Sequence, residues 1–218
     1  MRNIKRFYLS GSNKLKHVFI AISLLFIFIG CSTSPKTHFY TLNTLPDLKE
    51  KVSIENSQRI ALGIWPVKLS PLLDRPEIVT RVNQHNIELA NFHKWIGGLS
   101  NDMTQLIANE LGKRLQTDRV LIYPWSSYVK HDYQVKILVN QFVGELGNDV
   151  VLKGSWSLLN AEGDREITHN AFTLNSKSQS KNYGDMVATQ RELLIQLSEQ
   201  ISNTVSTTYS TVKNPSKS

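Results

Sequence analysis

The strongest constraint on the fold is a series of three β-strand patterns in the second half of the chain. Residues 133–145 alternate in side-chain direction and are largely apolar on both faces, which predicts a strand covered on both sides. Residues 149–160 follow across Gly147 and Asn148, and residues 167–174 follow across a second turn. The three strands are therefore predicted to form a meander.

Two helical patterns flank this meander. Residues 100–115 repeat apolar side chains at helical spacing, with Asp102 in the first turn, as the helix dipole favours. Residues 183–205 carry one apolar stripe. The remaining segments predict shorter strands at 38–43, 58–67 and 120–123, a hairpin of 78–82 with 86–92, a charged linker at 45–56 and a disordered tail at 206–218. The pattern predicts a single α/β domain over residues 38–205.

The first 30 residues have the composition of a secretion signal. Residues 1–17 carry five Lys or Arg and no carboxylate, and residues 18–29 are apolar except for Ser23. Twelve helical residues span roughly 18 Å, whereas a hydrocarbon core is about 30 Å thick. A cleaved signal peptide over residues 1–30 is therefore favoured over the alternative, a signal anchor with an incidental cysteine.

The residues that follow resemble a bacterial lipobox, Phe28-Ile29-Gly30-Cys31. In such a motif the thiol receives diacylglycerol, the chain is cut before the cysteine, and the new α-amine is acylated. Residues 31–37 would then form a lipidated tether, and several acyl chains anchor a protein stably. Ser32, at a position where Asp would resemble an inner-membrane retention signal, favours the outer membrane.

The composition excludes several classes of site. Cys31 is the chain's one cysteine, so the sequence allows no intrachain disulfide, no cysteine-rich metal centre and no free catalytic thiol. Five positive charges of the net charge of +7 lie in the signal, which leaves +2 from Cys31 onward and argues against nucleic acid as a partner.

Motifs for chemistry are absent from the sequence. It contains no HExxH, no GxSxG, no P-loop and no GxGxxG. Four carboxylates beside turns or helix starts are interpreted as structural: Asp132, Asp149, Asp164 and Asp185. Three tryptophans are interpreted as core residues rather than as sugar or lipid platforms: Trp65, Trp125 and Trp156. We expect no enzymatic activity, no metal and no cofactor apart from the acyl groups on Cys31.

The hairpin and the segment after it supply the candidate interaction residues, Arg75, Arg81 and Trp95. Arg75 precedes a proline and is therefore extended. The hairpin residues alternate so that an apolar face is predicted to point inward and a polar face outward. On the outward face, both arginines would offer charge-assisted contacts to a carboxylate of a neighbouring subunit or partner. The alternative is that they bind carboxylates of the same domain: Asp74, Glu77 or Glu88. Trp95 either packs at the junction with the helix or presents an apolar surface.

Several segments together resemble the PqiC family (paraquat-inducible protein C), or ABC-type transport auxiliary lipoproteins. The matching segments are the lipobox, the run Phe39-Tyr40-Thr41-Leu42, residues 73–81, which read LDRPEIVTR, residues 86–92, Lys94-Trp95, the helix at 106–115, Gly154-Ser155-Trp156 and residues 183–201. The chain departs from the family at Ile96-Gly97-Gly98, where members usually have Ala-Glu-Pro, so no role of that acidic residue is carried over.

The resemblance implies a three-layer α/β/α sandwich around a mixed sheet, which the order of predicted elements can supply. It also implies a periplasm-facing lipoprotein of the outer membrane that works with an inner-membrane transporter subunit and an MCE-domain protein in lipid transport. We expect such a docking subunit to self-associate as a ring. The alternatives are a lipid-anchored envelope hydrolase and a pilot lipoprotein of another envelope machine.

Overall fold

The computed structural model describes His17 and residues 35–43, 60–126 and 128–213. The chain divides into two units, Met1–Lys36 and Thr37–Ser218, and the fold described here is that of the second. The predicted signal peptide, Cys31 and the linker at 45–56 lie outside the described residues. Among the described residues, no helix is both long enough and apolar enough to cross a membrane.

The described part of the second unit contains nine strands and two helices. In chain order they are β1 (His38–Tyr40), β2 (Leu62–Ile64), β3 (Lys68–Leu69), β4 (Glu77–Arg81), β5 (Ile87–Trp95), α1 (Leu99–Leu115), β6 (Val120–Ile122), β7 (Tyr133–Gly144), β8 (Asp149–Leu159), β9 (Glu166–Lys177) and α2 (Tyr183–Lys213).

Strand β7 organises the sheet. On one side it pairs antiparallel with β8, which pairs antiparallel with β9, so the predicted meander is confirmed. On the other side, successive segments of β7 pair in parallel with β2, β3 and β4. Strand β6 extends the sheet beyond β2, and β5 and β1 extend it beyond β4. The α/β class with a mixed sheet is therefore confirmed.

The core lies between one face of this sheet and the two helices. Val135 and Val139 of β7 are fully buried on that face, as are Leu152 and Leu158 of β8. The helices contribute fully buried side chains from both of their apolar stripes: Met103, Ile107, Leu111, Leu194, Leu197 and Ile201. Each such side chain stabilises the fold by roughly 1.5–3 kcal/mol through removal of apolar surface from water.

The opposite face of the sheet is open at the middle of β7, so the prediction that β7 is covered on both sides holds only near its ends, at Gln134 and Val143. Helices α1 and α2 contact each other, with Arg114 Nη2 lying 3.4 Å from Glu199 Oε2, so both helices lie on one face. Lys136 and Asn140 of β7 are exposed on the other face. Both helices of the described residues therefore lie on the same face of the mixed sheet.

A β-bulge explains the wrong prediction for β7. The pairing with β8 shifts register between Val139 and Gln141, which moves Phe142 to the helix side of the sheet. Phe142 is buried there opposite Leu152. Strict alternation had placed Phe142 on the same face as Lys136 and Asn140, which made that face look apolar.

Helix α2 is longer than predicted, because it continues to Lys213. Residues 206–213, predicted as part of a disordered tail, are therefore helical. The hydroxyl groups of Thr207, Thr208 and Thr211 each donate to the carbonyl four residues earlier, and Tyr209 packs against the core. The threonine hydroxyls are therefore satisfied within the helix, and the contact of Tyr209 with the core stabilises this end of α2. Residues 214–218 of the predicted tail lie outside the described residues.

Candidate interaction surface

The two candidate arginines lie at the start and the end of the β4 segment. Arg81 is half-buried and pairs in register with Ile87 of β5. Arg75 is also half-buried, and its Nε atom is buried without a hydrogen-bond partner among the described atoms. Glu77 instead lies 3.6 Å from Lys94 Nζ. Within the part of the chain that the structure describes, neither arginine forms an ion pair with Asp74, Glu77 or Glu88.

Trp95, the third candidate, lies in the core and not on the surface. Its side chain is 5% exposed, and its ring centroid lies 6.4 Å from that of Phe142. Its backbone N–H donates to Pro76 O at 2.8 Å, which fixes the end of β5 against the entry to β4. Of the two alternatives for Trp95, the structure supports packing at the junction and corrects its assignment to an interaction surface.

We expect Trp95→Ala to lower the free energy of unfolding by about 3 kcal/mol, because it removes a buried ring and leaves a cavity beside Phe142. Chemical denaturation of the purified protein measures this loss. Phe39→Ala is the control, since Phe39 is 63% exposed on β1 and its loss should change stability by less than about 0.5 kcal/mol. Equal losses in the two variants would contradict the placement of Trp95.

Exposed apolar side chains concentrate around β1 and the β4–β5 hairpin. Six of the ten large exposed hydrophobic residues in the described part of the chain lie here, and we call them the hairpin surface: Phe39, Val82, Ile87, Leu89, Phe92 and Ile96. Single exposed apolar residues are ordinary, but a concentration of them is typical of a surface that contacts a partner. The sequence had predicted an outward face that is polar.

The register of the hairpin shows which way part of this surface points. Leu89 pairs with Val79, and Ile87 pairs with Arg81, so these side chains share one face. Thr80, which alternates with them on β4, is buried and points to the helix side, where Tyr183 of α2 lies close to it. Arg81, Ile87 and Leu89 therefore lie on the open face of the sheet.

A buried carboxylate holds β1 beside the hairpin. Asp102, in the first turn of α1, accepts hydrogen bonds from the Leu42 backbone N–H at 2.7 Å and from the Thr41 hydroxyl at 2.9 Å. It also accepts from the side-chain amide of Asn43. The sequence indicated only the favourable dipole interaction of Asp102, because its partners lie about 60 residues earlier.

An aromatic cluster fixes the other side of the hairpin to α2. The His93 ring of β5 stacks on Tyr183 with centroids 3.8 Å apart, and His93 Nδ1 is hydrogen-bonded to Tyr40 Oη at 2.7 Å. His38 stacks beside His93 at 5.3 Å. Burial lowers the pKa of His93, and the nearby His38 lowers it further. A neutral imidazole suits this packing, and the hairpin surface is therefore presented by a firmly held element.

Ser157 Oγ lies 2.9 Å from His169 Nδ1, and Glu166 Oε2 lies 3.6 Å from that same nitrogen, so these three residues do not form the successive contacts of a catalytic triad. No three His, Cys, Asp or Glu side chains among the described residues are placed to hold a metal ion.

Two of the carboxylates that the sequence assigned to structural roles have backbone or turn partners. Asp132 accepts from the Ala61 N–H at 2.7 Å, which joins the residue before β7 to the start of β2, and Asp164 accepts from Asn160 at 2.8 Å in the turn between β8 and β9.

Comparison with known proteins gives the class of this chain. A family model for ABC-type transport auxiliary lipoprotein components matches residues 40–202. The chain belongs to this family, which agrees with the PqiC resemblance of its sequence. Membership supports an auxiliary role beside ABC transport systems and a location in the bacterial envelope. The search of curated proteins gave no significant match.

Solved structures share the fold. A structure of an uncharacterized protein aligns with a TM-score of 0.65 and 22% identity, and covers 78% of this chain and 99% of its own. XCC0632 from Xanthomonas campestris, a DUF330 protein, aligns with a TM-score of 0.56 and 15% identity, and covers 65% of this chain and 81% of its own. At these identities the likeness concerns the fold alone.

Proposed function

We propose that this protein is a non-enzymatic docking subunit of an MCE-type system that moves lipid between the two membranes of a Gram-negative bacterium. Acylated Cys31 anchors it to the outer membrane, and the domain faces the periplasm. Its partners are an MCE-domain protein, an inner-membrane transporter subunit and further copies of itself. Family membership supports the auxiliary role, and the PqiC resemblance supports the MCE partner.

The hairpin surface is the observation that carries the docking role. It combines exposed apolar side chains with Arg81, which has no ion-pair partner among the described residues, on an element fixed by the His93 cluster and by Asp102. Apolar side chains beside an arginine are the composition of protein interfaces. A held element also loses little conformational freedom when a partner binds.

The edge of the sheet supports self-association next to this surface. Among the described strands, β1 pairs only with His93–Trp95 of β5 and leaves residues 87–92 without a partner on that side. An open strand edge accepts another strand through backbone hydrogen bonds. A second copy that adds a strand here would repeat the same contact around a ring.

An envelope hydrolase and a pilot lipoprotein are the competing functions. A hydrolase requires a nucleophile and base or a metal, and the sequence carries no such motif. A pilot lipoprotein would use the same kind of surface and would differ in its partner. Identification of the protein that contacts the hairpin surface therefore decides between docking to an MCE-domain protein and docking to another machine.

Photocrosslinking in intact cells tests this proposal. A photoreactive amino acid at Ile87 should capture an MCE-domain protein, a second copy of this chain, or both. The control position is Thr173, which is exposed on β9 at the opposite edge of the sheet. We expect neither product there. Capture of a secretion or pilus component from position 87 instead of these two would favour the pilot function.

We expect Arg81→Glu to leave the domain folded and to weaken self-association or capture of the MCE partner by at least about tenfold, equivalent to about 1.4 kcal/mol. The arginine is on the open face and forms no ion pair with a described residue, so its replacement removes no bond within the domain. Light scattering measures the assembly, and pull-down of the partner measures capture.

Arg165→Glu is the matched control for Arg81→Glu. Arg165 is exposed in the turn between β8 and β9, so the same charge change there should leave both assembly and capture unchanged. Wild-type assembly and capture by Arg81→Glu would show that Arg81 is not an interface residue. Unfolding of Arg81→Glu would show instead that Arg81 is part of the architecture.

A further inference from the structure

A shallow groove on the open face of the sheet lies between β2–β3, β7 and β8. Its volume is about 250 Å³. We call it the lysine groove and define it by Trp65, Lys68, Lys136, Leu138, Ser155 and Ser157, which are among the residues that line it. Strand register confirms the juxtaposition, since Lys68 and Ser155 both pair with Leu138, and Ser157 pairs with Lys136.

The groove is positively charged and contains no carboxylate. Lys136 Nζ lies 4.9 Å from the centroid of the Trp65 ring, a cation–π contact that holds the ammonium group in place. Within the part of the chain that the structure describes, neither Lys68 nor Lys136 takes part in an ion pair. The next positions across the sheet on this face are His169 and Ala171 of β9. An anion is the ligand that this arrangement favours.

The surroundings of Trp65 argue against a stacked sugar. Tyr123 stacks on the Trp65 ring with centroids 4.3 Å apart. Because a stacked ring and an ammonium group cannot share one space, Tyr123 and Lys136 cover opposite faces of Trp65. The indole N–H is also engaged, because it donates to Gln134 Oε1 at 2.8 Å. Trp65 therefore positions Lys136 and offers no free face to a ligand ring.

The donor set favours a phosphoryl group over a carboxylate. Lysine ammonium groups act as point charges, which suit phosphate oxygens, whereas carboxylates are bound best by the planar fork of arginine. No arginine lines the groove, and the hydroxyl of Ser155 adds a hydrogen-bonding group beside the two lysines, whereas the Ser157 hydroxyl is already hydrogen-bonded to His169 Nδ1 at 2.9 Å.

The apolar residues of the groove and the volume of the groove restrict the class of ligand further. Pro66 and Leu138 also line the groove, and an inorganic anion would leave this apolar surface uncovered. Pockets for whole ligands are usually about 300–1,000 Å³, so a groove of about 250 Å³ suits a headgroup better than a complete lipid.

We propose that the lysine groove binds the headgroup of an anionic glycerophospholipid, with the phosphoryl group at Lys68 and Lys136 and the glycerol backbone against Leu138 and Pro66. This goes beyond the docking role, which requires no contact between the domain and a lipid. It gives the domain a lipid site that is separate from the acyl chains proposed on Cys31 and from the hairpin surface.

Photolabelling of the full-length lipoprotein in phosphatidylcholine nanodiscs tests the site. A small fraction of photoreactive phosphatidylglycerol is added, and labelled peptides are mapped by mass spectrometry. We expect label on the peptides that contain Lys68 and Lys136, and about tenfold less label in the double variant Lys68→Gln with Lys136→Gln. Soluble glycerophosphoglycerol should compete for the site.

Two further variants separate the groove from general electrostatics and from unfolding. Lys177→Gln removes the same charge at the far end of β9, eight residues and about 27 Å from His169, and should keep the label. Lys68→Gln alone leaves the contact between Lys136 and Trp65 intact, so it should keep the wild-type melting temperature and still lose label.

Four results would each overturn the inference. Equal loss of label in Lys177→Gln would indicate non-specific attraction. Equal labelling by photoreactive phosphatidylcholine would show that the headgroup charge is not recognised. Inorganic phosphate that competes as well as glycerophosphoglycerol would indicate a site for free phosphate, and equally strong competition by a tetraglutamate peptide would indicate a site for an acidic protein segment.

Discussion

Gly154→Ala is expected to prevent the domain from folding. A Cβ atom at residue 154 would overlap the carbonyl oxygen of Leu138 and would lie 2.9 Å from the Phe172 ring. The first of these obstacles is backbone in the central strand of the sheet, so it cannot rotate away. We expect a loss of more than about 4 kcal/mol, which is a large share of the stability of an ordinary domain. Circular dichroism and the yield of soluble protein measure the effect.

Gly184→Ala is the control for this substitution. A Cβ atom there would lie 3.2 Å from the side-chain oxygen of Asn182, which can move, and residue 184 is in the first turn of α2. Alanine favours helices over glycine by about 1 kcal/mol, so this variant should be as stable as wild type or more stable. Native stability of Gly154→Ala would show that β7 and β8 are spaced more widely than described.

Gly154 of β8 lies opposite the β-bulge of β7, and the two together determine on which face of the sheet Phe142 lies. Gly154 pairs with Val139, the last residue before the register shift, and its lack of a side chain leaves room for the bulged backbone. The bulge sends Phe142 into the core beside Trp95. It thereby removes one large apolar side chain from the other face of β7, which is open at Lys136 and Asn140.

The elements that local patterns determine could be predicted from the sequence. Helix α1 was predicted at 100–115 and observed at Leu99–Leu115, and the strands of the meander were predicted to within a few residues. Periodicity depends on neighbouring residues alone, so one sequence is enough to read it. The two-residue strand β3 was missed, because it has too few residues to show a period.

The placement of both helices on one face of the sheet and the formation of the groove depend on contacts between residues that are distant in the sequence. Trp65 was assigned to the core, and its contact with Lys136 arises only because β2 and β7 pair in parallel about 70 residues apart. Likewise, the sequence shows which hairpin residues are polar and which are apolar. The observation that Arg81 and Leu89 lie on the same face depends on the pairing register of β4 with β5. A single sequence contains no signal for such pairings.

The hairpin surface and the lysine groove place two proposed roles on one structural feature, the open face of the sheet. Leu89 and Arg81 lie on that face beside the end of β7 at Gly144, and the groove lies nearer its start, at Lys136 and Leu138. A partner on the hairpin surface would therefore share this face with a lipid headgroup in the groove, about 20–27 Å away along β7. We expect Arg81→Glu to lower partner capture without loss of lipid label, and Lys68→Gln to do the reverse.

Cys31→Ala is expected to abolish lipidation completely and to leave an unprocessed chain held in the membrane by its signal segment. In a lipoprotein the thiol of the lipobox cysteine accepts diacylglycerol, and cleavage requires that modification, so alanine at the proposed site would block both steps. The uncut apolar run at 18–29 would then be the remaining membrane attachment, and at roughly 18 Å against about 30 Å of hydrocarbon it would hold the chain less firmly than a full transmembrane helix. Metabolic labelling with a palmitate analogue and a shift to higher mass measure the two effects.

Ser34→Ala is the control for Cys31→Ala, since it alters the same segment and leaves the thiol in place; it should retain both the label and the processed mass. Label that persists in Cys31→Ala would contradict lipidation of Cys31. It would also contradict the proposal that this protein is a docking subunit tethered by lipid. A processed but unlabelled Cys31→Ala chain would indicate an ordinary secretion signal. In that case the domain would have to reach its partners by diffusion, because one or more acyl chains would no longer restrict it to the membrane surface.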